Sequence, residues 1–133
     1  MSKYTSTREG FQLSMELSLT GPPEGFAQYA AEVNTPNFYH IMNNQRYEYD
    51  EYVKGCAEWR AKSGDYKPVI HEFLRDGDSL AARMTGTMKI DGVENQFESF
   101  IFAKVDKESG RMEWLKERSI WGPVGKAPEH GVN

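Results

Sequence analysis

A β-type pattern fills the second half of the chain, and three polar breaks divide it into four segments. Residues 67–75 (KPVIHEFLR) end at Asp76-Gly77-Asp78, residues 79–90 at Asp91-Gly92, and residues 96–105 (QFESFIFAKV) at the polar loop 106–110. The fourth segment runs from Arg111 to Trp121, where Gly122-Pro123 stops it. Asp-Gly between apolar runs is the strongest short hairpin signal, because both residues tolerate the left-handed backbone that a tight turn demands. An antiparallel four-stranded meander is therefore predicted.

Helical spacing marks the first half. Around residues 50–62, apolar or aromatic groups fall at Tyr49, Tyr52, Val53, Cys56 and Trp59, close to three, four and seven residues apart. Asp50 is the expected N-cap and Ser63-Gly64 the expected stop. Pro22-Pro23-Glu24 reads as another helix start, with Phe26, Tyr29, Ala30 and Val33 on one stripe and Asn34-Thr35-Pro36 as its end. Residues 37–46 (NFYHIMNNQR) read as a short strand. Residues 11–19 pose a conflict: Phe11, Leu13, Met15, Leu17 and Leu19 alternate as in a half-buried strand, yet Met, Glu, Gln and Leu favour a helix. Ser6 or Thr7 followed by Glu9 also resembles a helix start, so a helix is expected there. Residues 1–6 and 125–133 are expected to be mobile tails.

The chain has 133 residues, 16 Lys plus Arg against 20 Asp plus Glu, and a net charge of −4. A chain of this length buries roughly two thirds of its unfolded surface, enough for one core but not for two independent domains. A nucleic-acid partner calls for a basic stripe that displaces counterions, so this mixed, mildly acidic charge argues against DNA and RNA. No apolar run approaches the roughly 20 residues of a membrane span, and MSKYTSTREG lacks an apolar signal core, which predicts a cytoplasmic protein without membrane contact. Cys56 is the single cysteine, so no intrachain disulfide can form, in keeping with a reducing compartment. With 7 Phe, 7 Tyr and 3 Trp, aromatic side chains exceed what a small core needs, and either line a cavity or fill a sheet core and a dimer interface.

The stretches NFYHIMNNQRYEYDEYVKGCAEWR and LAARMTGTMKIDGVENQFESFIFAKVDKESGRMEWL, in the order helix, helix, short strand, helix, meander, resemble the SnoaL-like polyketide cyclase and isomerase family of the nuclear-transport-factor-2-like superfamily. The resemblance spans nearly the whole chain. It implies an α+β cone in which a strongly curved sheet wraps helices around a pocket open at one end. It also implies a homodimer through the outer sheet face and cofactor-free cyclisation, isomerisation or dehydration of small carbonyl compounds. Other members only bind ligands or serve as interaction modules, so the side chains must decide.

Strand parity sorts the candidates. Glu98 shares a face with Phe100 and Phe102, whereas Phe97, Ser99, Ile101 and Ala103 share the other. Both faces are apolar enough to need a cover, helices on one and a second subunit on the other. A carboxylate among phenylalanines loses hydration, which disfavours its charge and suits it to proton transfer; alternatively, Glu98 is the ion-pair partner of Arg83 or Lys116. His40, within Phe38-Tyr39-His40-Ile41-Met42, is either a general base or a hydrogen-bonded structural histidine. The resemblance adds weight to the first, since the matching region of related enzymes supplies pocket residues. Arg83 inside the cone would stabilise an enolate, and outside it would be a solvated or dimer-bridging charge. Tyr39 and Trp114 offer flat walls to a ring-shaped ligand, with Phe100 beside them and His71 as a weaker binding candidate. Glu117-Arg118 reads as a cross-strand ion pair, and Cys56 as core packing.

Metal-ligand spacings (HxH, HExxH, paired cysteines) and the GxSxG, GxGxxG and Walker A motifs are all missing, so neither a metal nor a cofactor is expected. Acid-base chemistry remains. In that reading a small hydrophobic, oxygenated metabolite lies against Trp114, Tyr39 and Phe100, His40 removes a proton beside a carbonyl, Glu98 returns one, and Arg83 stabilises the oxyanion. The competing reading is a ligand-binding module with the same cavity and no catalysis.

Overall fold

In the computed structural model, which describes residues 3–125 and 129–130, three helices pack along the inner face of one bulged sheet. The helices are α1 (Arg8–Leu19), α2 (Phe26–Val33), entered through a 3-10 turn at Pro23–Gly25, and α3 (Tyr49–Lys62). The strands are β1 (Asn34–Met42), β2 (Gln45–Tyr47), β3 (Ser63–Asp76), β4 (Ser79–Ile90), β5 (Val93–Val105), β6 (Met112–Pro123) and the short β7 (Glu129–His130). Their order is β2-β1-β6-β5-β4-β3, with β7 added on β6. The expected meander is there as β3 to β6, every neighbour antiparallel. The sheet stays open, and bulges in β3 and at the β5–β6 pairing bend it into an α+β cone around the helices.

What closes the fold is a parallel pairing of β1 with β6, which sets Tyr39 opposite Trp114 and His40 opposite Leu115. Residues 37–46 are not one strand. Asn43 and Asn44 both adopt positive φ (50° and 73°) and turn β1 into β2, a backbone that Asn tolerates better than most residues. Two further boundaries differ from the sequence reading. Gly122 and Pro123 lie within β6, paired with Gln96 and Asn95, because Pro123 needs no ladder donor there. The N-cap of α3 is Glu48 rather than Asp50: its backbone N–H donates to Glu51 Oε1 at 2.9 Å, a reciprocal capping box.

The conflict at residues 11–19 resolves in favour of helix, capped by Thr7 Oγ1, which accepts from the Gly10 N–H at 3.0 Å. Phe11, Ser14 and Met15 are its buried positions, and Leu13 is exposed. The inward position between the apolar ones is thus a serine, paired with the Tyr29 hydroxyl at 2.9 Å, which hides the helical period from a purely apolar count. Arg60 of α3 ties down the open end of α1, donating to the carbonyls of Leu17, Ser18 and Pro22. Gln12 reaches the edge strand β3, donating to Pro68 O at 2.6 Å and accepting from the Ile70 N–H at 2.7 Å.

Within the expected N-terminal tail, Tyr4 and Thr5 are buried instead, and Thr5 Oγ1 donates to Gly110 O at 2.6 Å. At the other end, residues 129–130 are held as β7; residues 1–2, 126–128 and 131–133 of the expected tails lie outside the described residues. The core between helices and sheet is dominated by Phe11, Phe26, Phe38, Ile70, Leu80 and Ile101. Among the described residues, no helix is long and apolar enough to cross a membrane.

Candidate active site

Beyond this core, α1, α3 and the inner faces of β1, β4, β5 and β6 line a half-open cavity of about 720 Å³. Rings and thioethers are prominent in its wall, among them Phe38, Tyr52, Trp59, Tyr66, Phe97 and Trp121 with Met84 and Met88. This is the size and lining of a small-molecule site. Carboxylates of Glu51, Glu58 and Glu117 border it against one lysine, Lys62, whose ammonium sits 4.1 Å from the Trp59 ring centroid.

Into this wall β1 and β6 place one ionisable pair. The parallel register puts Met42 opposite Glu117, so that His40 and Glu117 are diagonal neighbours on the inner face. His40 Nε2 and Glu117 Oε1 are 2.9 Å apart, with only 14% and 12% of the side chains exposed. A carboxylate can only accept, so in this contact the ring donates its Nε2–H; a neutral ring then carries its lone pair on Nδ1. Tyr47 and Tyr52 flank the imidazole, with ring centroids 6.3 Å and 5.6 Å away, and restrict its rotation.

Beside the pair runs a buried polar stripe. Ser99 Oγ donates to Ser119 Oγ at 2.9 Å, and the Asn43 side chain clamps the Ser119 backbone from both sides. Its amide donates to Ser119 O at 3.1 Å, and its Oδ1 accepts from the Ser119 N–H at 2.8 Å. The sequence reading set Glu117 aside as part of an ion pair with Arg118 and gave Asn43, Ser99 and Ser119 no role. The available signal was parity: Leu115, Glu117, Ser119 and Trp121 share one face of β6, and Ser99 lies between apolar inward neighbours on β5.

The other anticipated site residues lie elsewhere. Glu98 and Arg83 face outward, opposite the cavity: Arg83 NH1 donates to Glu98 Oε2 at 2.9 Å, and Arg83 also binds Glu72. The cross-strand ion pair, not the paired acid and oxyanion donor, is what the geometry realises. The Arg83 hydrogen bonds hold the Glu72 carboxyl below its usual range. His71 is also outward, 2.6 Å from Thr85 Oγ1, as the alternate neighbour of inward Ile70; the bulge after Ile70 then turns Phe73, not His71, towards the core. Tyr39 stacks under the Arg46 guanidinium at 3.7 Å, and Trp114 lies opposite it, both on the face away from His40. Phe100 is 51% exposed on that outer face. Glu117 and Arg118 do not pair with each other either, since Arg118 NH2 donates to Asn44 Oδ1 at 2.7 Å.

Cys56 packs against the core and also lines the cavity, and burial, with Glu117 adding its charge, pushes its thiol up from 9.0 to about 12. Burial likewise raises Tyr29, Tyr52 and Tyr66. The unfolded chain therefore loses these protons first, so their contribution to stability is complete below pH 9 and drains away as pH climbs towards 12. Urea midpoints measured between pH 8 and 11 are expected to fall with rising pH, and to begin falling about one pH unit later in Cys56→Ala, whose first buried groups to titrate are tyrosines. A flat profile to pH 11 would contradict the burial of these groups.

Among the described residues, no group of three or more His, Cys, Asp or Glu converges as a metal site would require. The chain matches no protein-family model. No curated protein matches it in sequence. Solved structures do match: NT-9, a de novo designed NTF2 fold protein, superposes with a TM-score of 0.56 at 19% identity, over 83% of this chain and 84% of its own. The chain has the NTF2 fold. Natural NTF2-like neighbours include AclR from Streptomyces galilaeus, a candidate hydroxylase (TM-score 0.64, 11% identity, 85% of this chain and 88% of that one). IdmH from Streptomyces antibioticus, a candidate polyketide cyclase, superposes with a TM-score of 0.62 at 12% identity, over 82% of this chain and 87% of its own. A designed protein and these natural ones share the NTF2 scaffold at comparable similarity, so the fold does not select the chemistry and the cavity's own groups must.

Proposed function

We propose that the chain is a cofactor-independent acid-base enzyme acting on a small, hydrophobic, ring-bearing ketone, in an isomerisation, cyclisation or dehydration. The observation that carries this reading is the buried His40–Glu117 pair in the wall of an aromatic cavity. The description of IdmH as a candidate polyketide cyclase on the same scaffold supports it. His40 takes a proton from the carbon next to the carbonyl through the ring nitrogen that Glu117 leaves free. Glu117 fixes the tautomer and stabilises the imidazolium that forms. The electron pair moves onto the carbonyl oxygen as an enolate. Return of the proton to a different carbon, attack of the enolate on a second carbonyl, or loss of a β-hydroxyl as water gives the three outcomes. Tyr52, Tyr66, Trp59 and Phe97 take the wall role assigned from sequence to Tyr39, Trp114 and Phe100.

Solvent deuterium exchange into cyclic ketones such as 2-tetralone, followed by proton NMR, tests the reading. Exchange well above the buffer rate is expected, saturating with ketone concentration. Saturable binding with no exchange would instead make the chain a binding module.

The outer face completes the proposal. Phe100, Phe102 and Leu74 stand exposed there around the Arg83 ion pairs, and a homodimer through this face would cover them. Light scattering on the wild-type chain is expected to give twice the chain mass, and Phe100→Lys/Phe102→Lys the single mass with the cavity still competent. A monomeric wild type at 100 μM would refute the dimer.

A further inference from the structure

We propose that the Ser119 hydroxyl is the donor that anchors and polarises the ligand's carbonyl oxygen, which makes the preferred ligand a neutral ketone. This rests on the enzymatic reading above and assigns a role which that reading leaves open: who meets the charge that develops on oxygen. Arg83, the group expected from sequence, is on the wrong side of the sheet.

Three features single out Ser119. It lines the cavity yet is only 7% exposed, so a donor there works in a poorly hydrated setting. Its Oγ already accepts a hydrogen bond from Ser99, and its own O–H finds no acceptor among the described residues. A buried hydroxyl usually spends its proton, so an unspent one directed by a neighbouring donor is available for a ligand. Finally, its position is fixed from behind, because Asn43 holds both the N–H and the C=O of residue 119. Asn43 does this from a turn position with φ 50°, where a branched or larger residue would be strained.

Spacing fits the chemistry. Ser119 follows Glu117 by two residues on the same strand face, roughly 6.6 Å along the strand. In an enolisable ketone the oxygen and the acidic C–H sit on adjacent carbons, so one molecule can meet Ser119 with its oxygen and the His40–Glu117 pair with its C–H. The Ser99–Ser119 chain also strengthens as charge builds on the ligand oxygen, since each hydroxyl polarises the next.

The experiment uses the full chain and carbonyl-13C-labelled 2-tetralone, reading the infrared band of the bound C=O and the deuterium exchange rate. In Ser119→Ala the bound carbonyl band is expected at higher frequency than in wild type, with exchange slowed on the order of 10²-fold. Affinity should fall by less than about tenfold, as for one neutral hydrogen bond. Ser119→Thr, which keeps the hydroxyl, should restore the band and most of the rate. Should Ser119→Ala fail to fold, Ser119→Cys keeps the volume with a weak donor and should show the same direction of change. Ketone bound with an unshifted band and an undiminished rate in Ala or Cys would overturn the anchor while leaving the enzymatic reading intact. A wild-type chain that binds 2-tetralone without exchange overturns both.

Discussion

Glu117→Gln is expected to slow ketone deuterium exchange by 10²- to 10⁴-fold, on the order of what a positioned acid-base group contributes, with little loss of ketone binding. Glutamine can still meet the His40 Nε2–H, but it brings no negative charge to stabilise an imidazolium 2.9 Å away. His40→Gln should fall by a similar factor, and the double variant should lose little more than either single one, because the two groups act as one unit. Glu98→Gln and Arg83→Gln are expected to stay within about twofold of wild type, since both side chains bond to each other or to Glu72 on the opposite face. Proton NMR in deuterated buffer reads all five. The assignment fails if Glu98→Gln proves the damaging change and Glu117→Gln the silent one.

Gly86→Ala should destabilise the chain by about 1–3 kcal/mol, the usual cost of overpacking a well-filled interior. Gly86 pairs across the sheet with Phe97, whose ring lies over it and stacks on Tyr66 with centroids 6.0 Å apart and planes at 18°. A Cβ at position 86 would sit 2.5 Å from Phe97 Cζ and 2.6 Å from the Lys67 carbonyl oxygen. Turning the ring relieves the first clash. The second is with backbone and needs β3 to move. Because Phe97 and Tyr66 both line the cavity, ketone affinity should fall together with stability. Gly55→Ala is the matched control: its Cβ meets nothing within 4 Å, and it lies in α3. Helix propensity alone predicts that this change stabilises by up to about 1 kcal/mol. Denaturant midpoints separate the two variants by sign, and equal shifts would mean that the Gly86 contacts are not what limits that position.

The meander was legible because its breaks are local: Asp91 and Gly92 take positive φ (51° and 81°) in a turn their side chains favour. The helices were legible where the inward stripe is apolar, and ambiguous at α1, where Ser14 fills an inward slot. On β5, parity correctly separated Glu98, Phe100 and Phe102 from Phe97, Ser99 and Ile101. It could not say which set faces the cavity, since both sets are largely apolar and the outer rings, Phe100 and Phe102, stand exposed. Glu117 was out of reach for another reason. Its partner lies 77 positions away, and only the parallel alignment of β1 on β6 brings them together. Such a pairing leaves no mark on either segment alone, so the family resemblance carried the scaffold and not the chemistry.

That alignment also dictates when the pair comes into being. Hairpins of the meander close over a few residues and form early, whereas β1 must wait for the whole intervening chain to be arranged before it can meet β6. Acid and base are therefore expected to come together late in refolding, and a chain stalled one strand short would hold most of its sheet with no reactive centre at all.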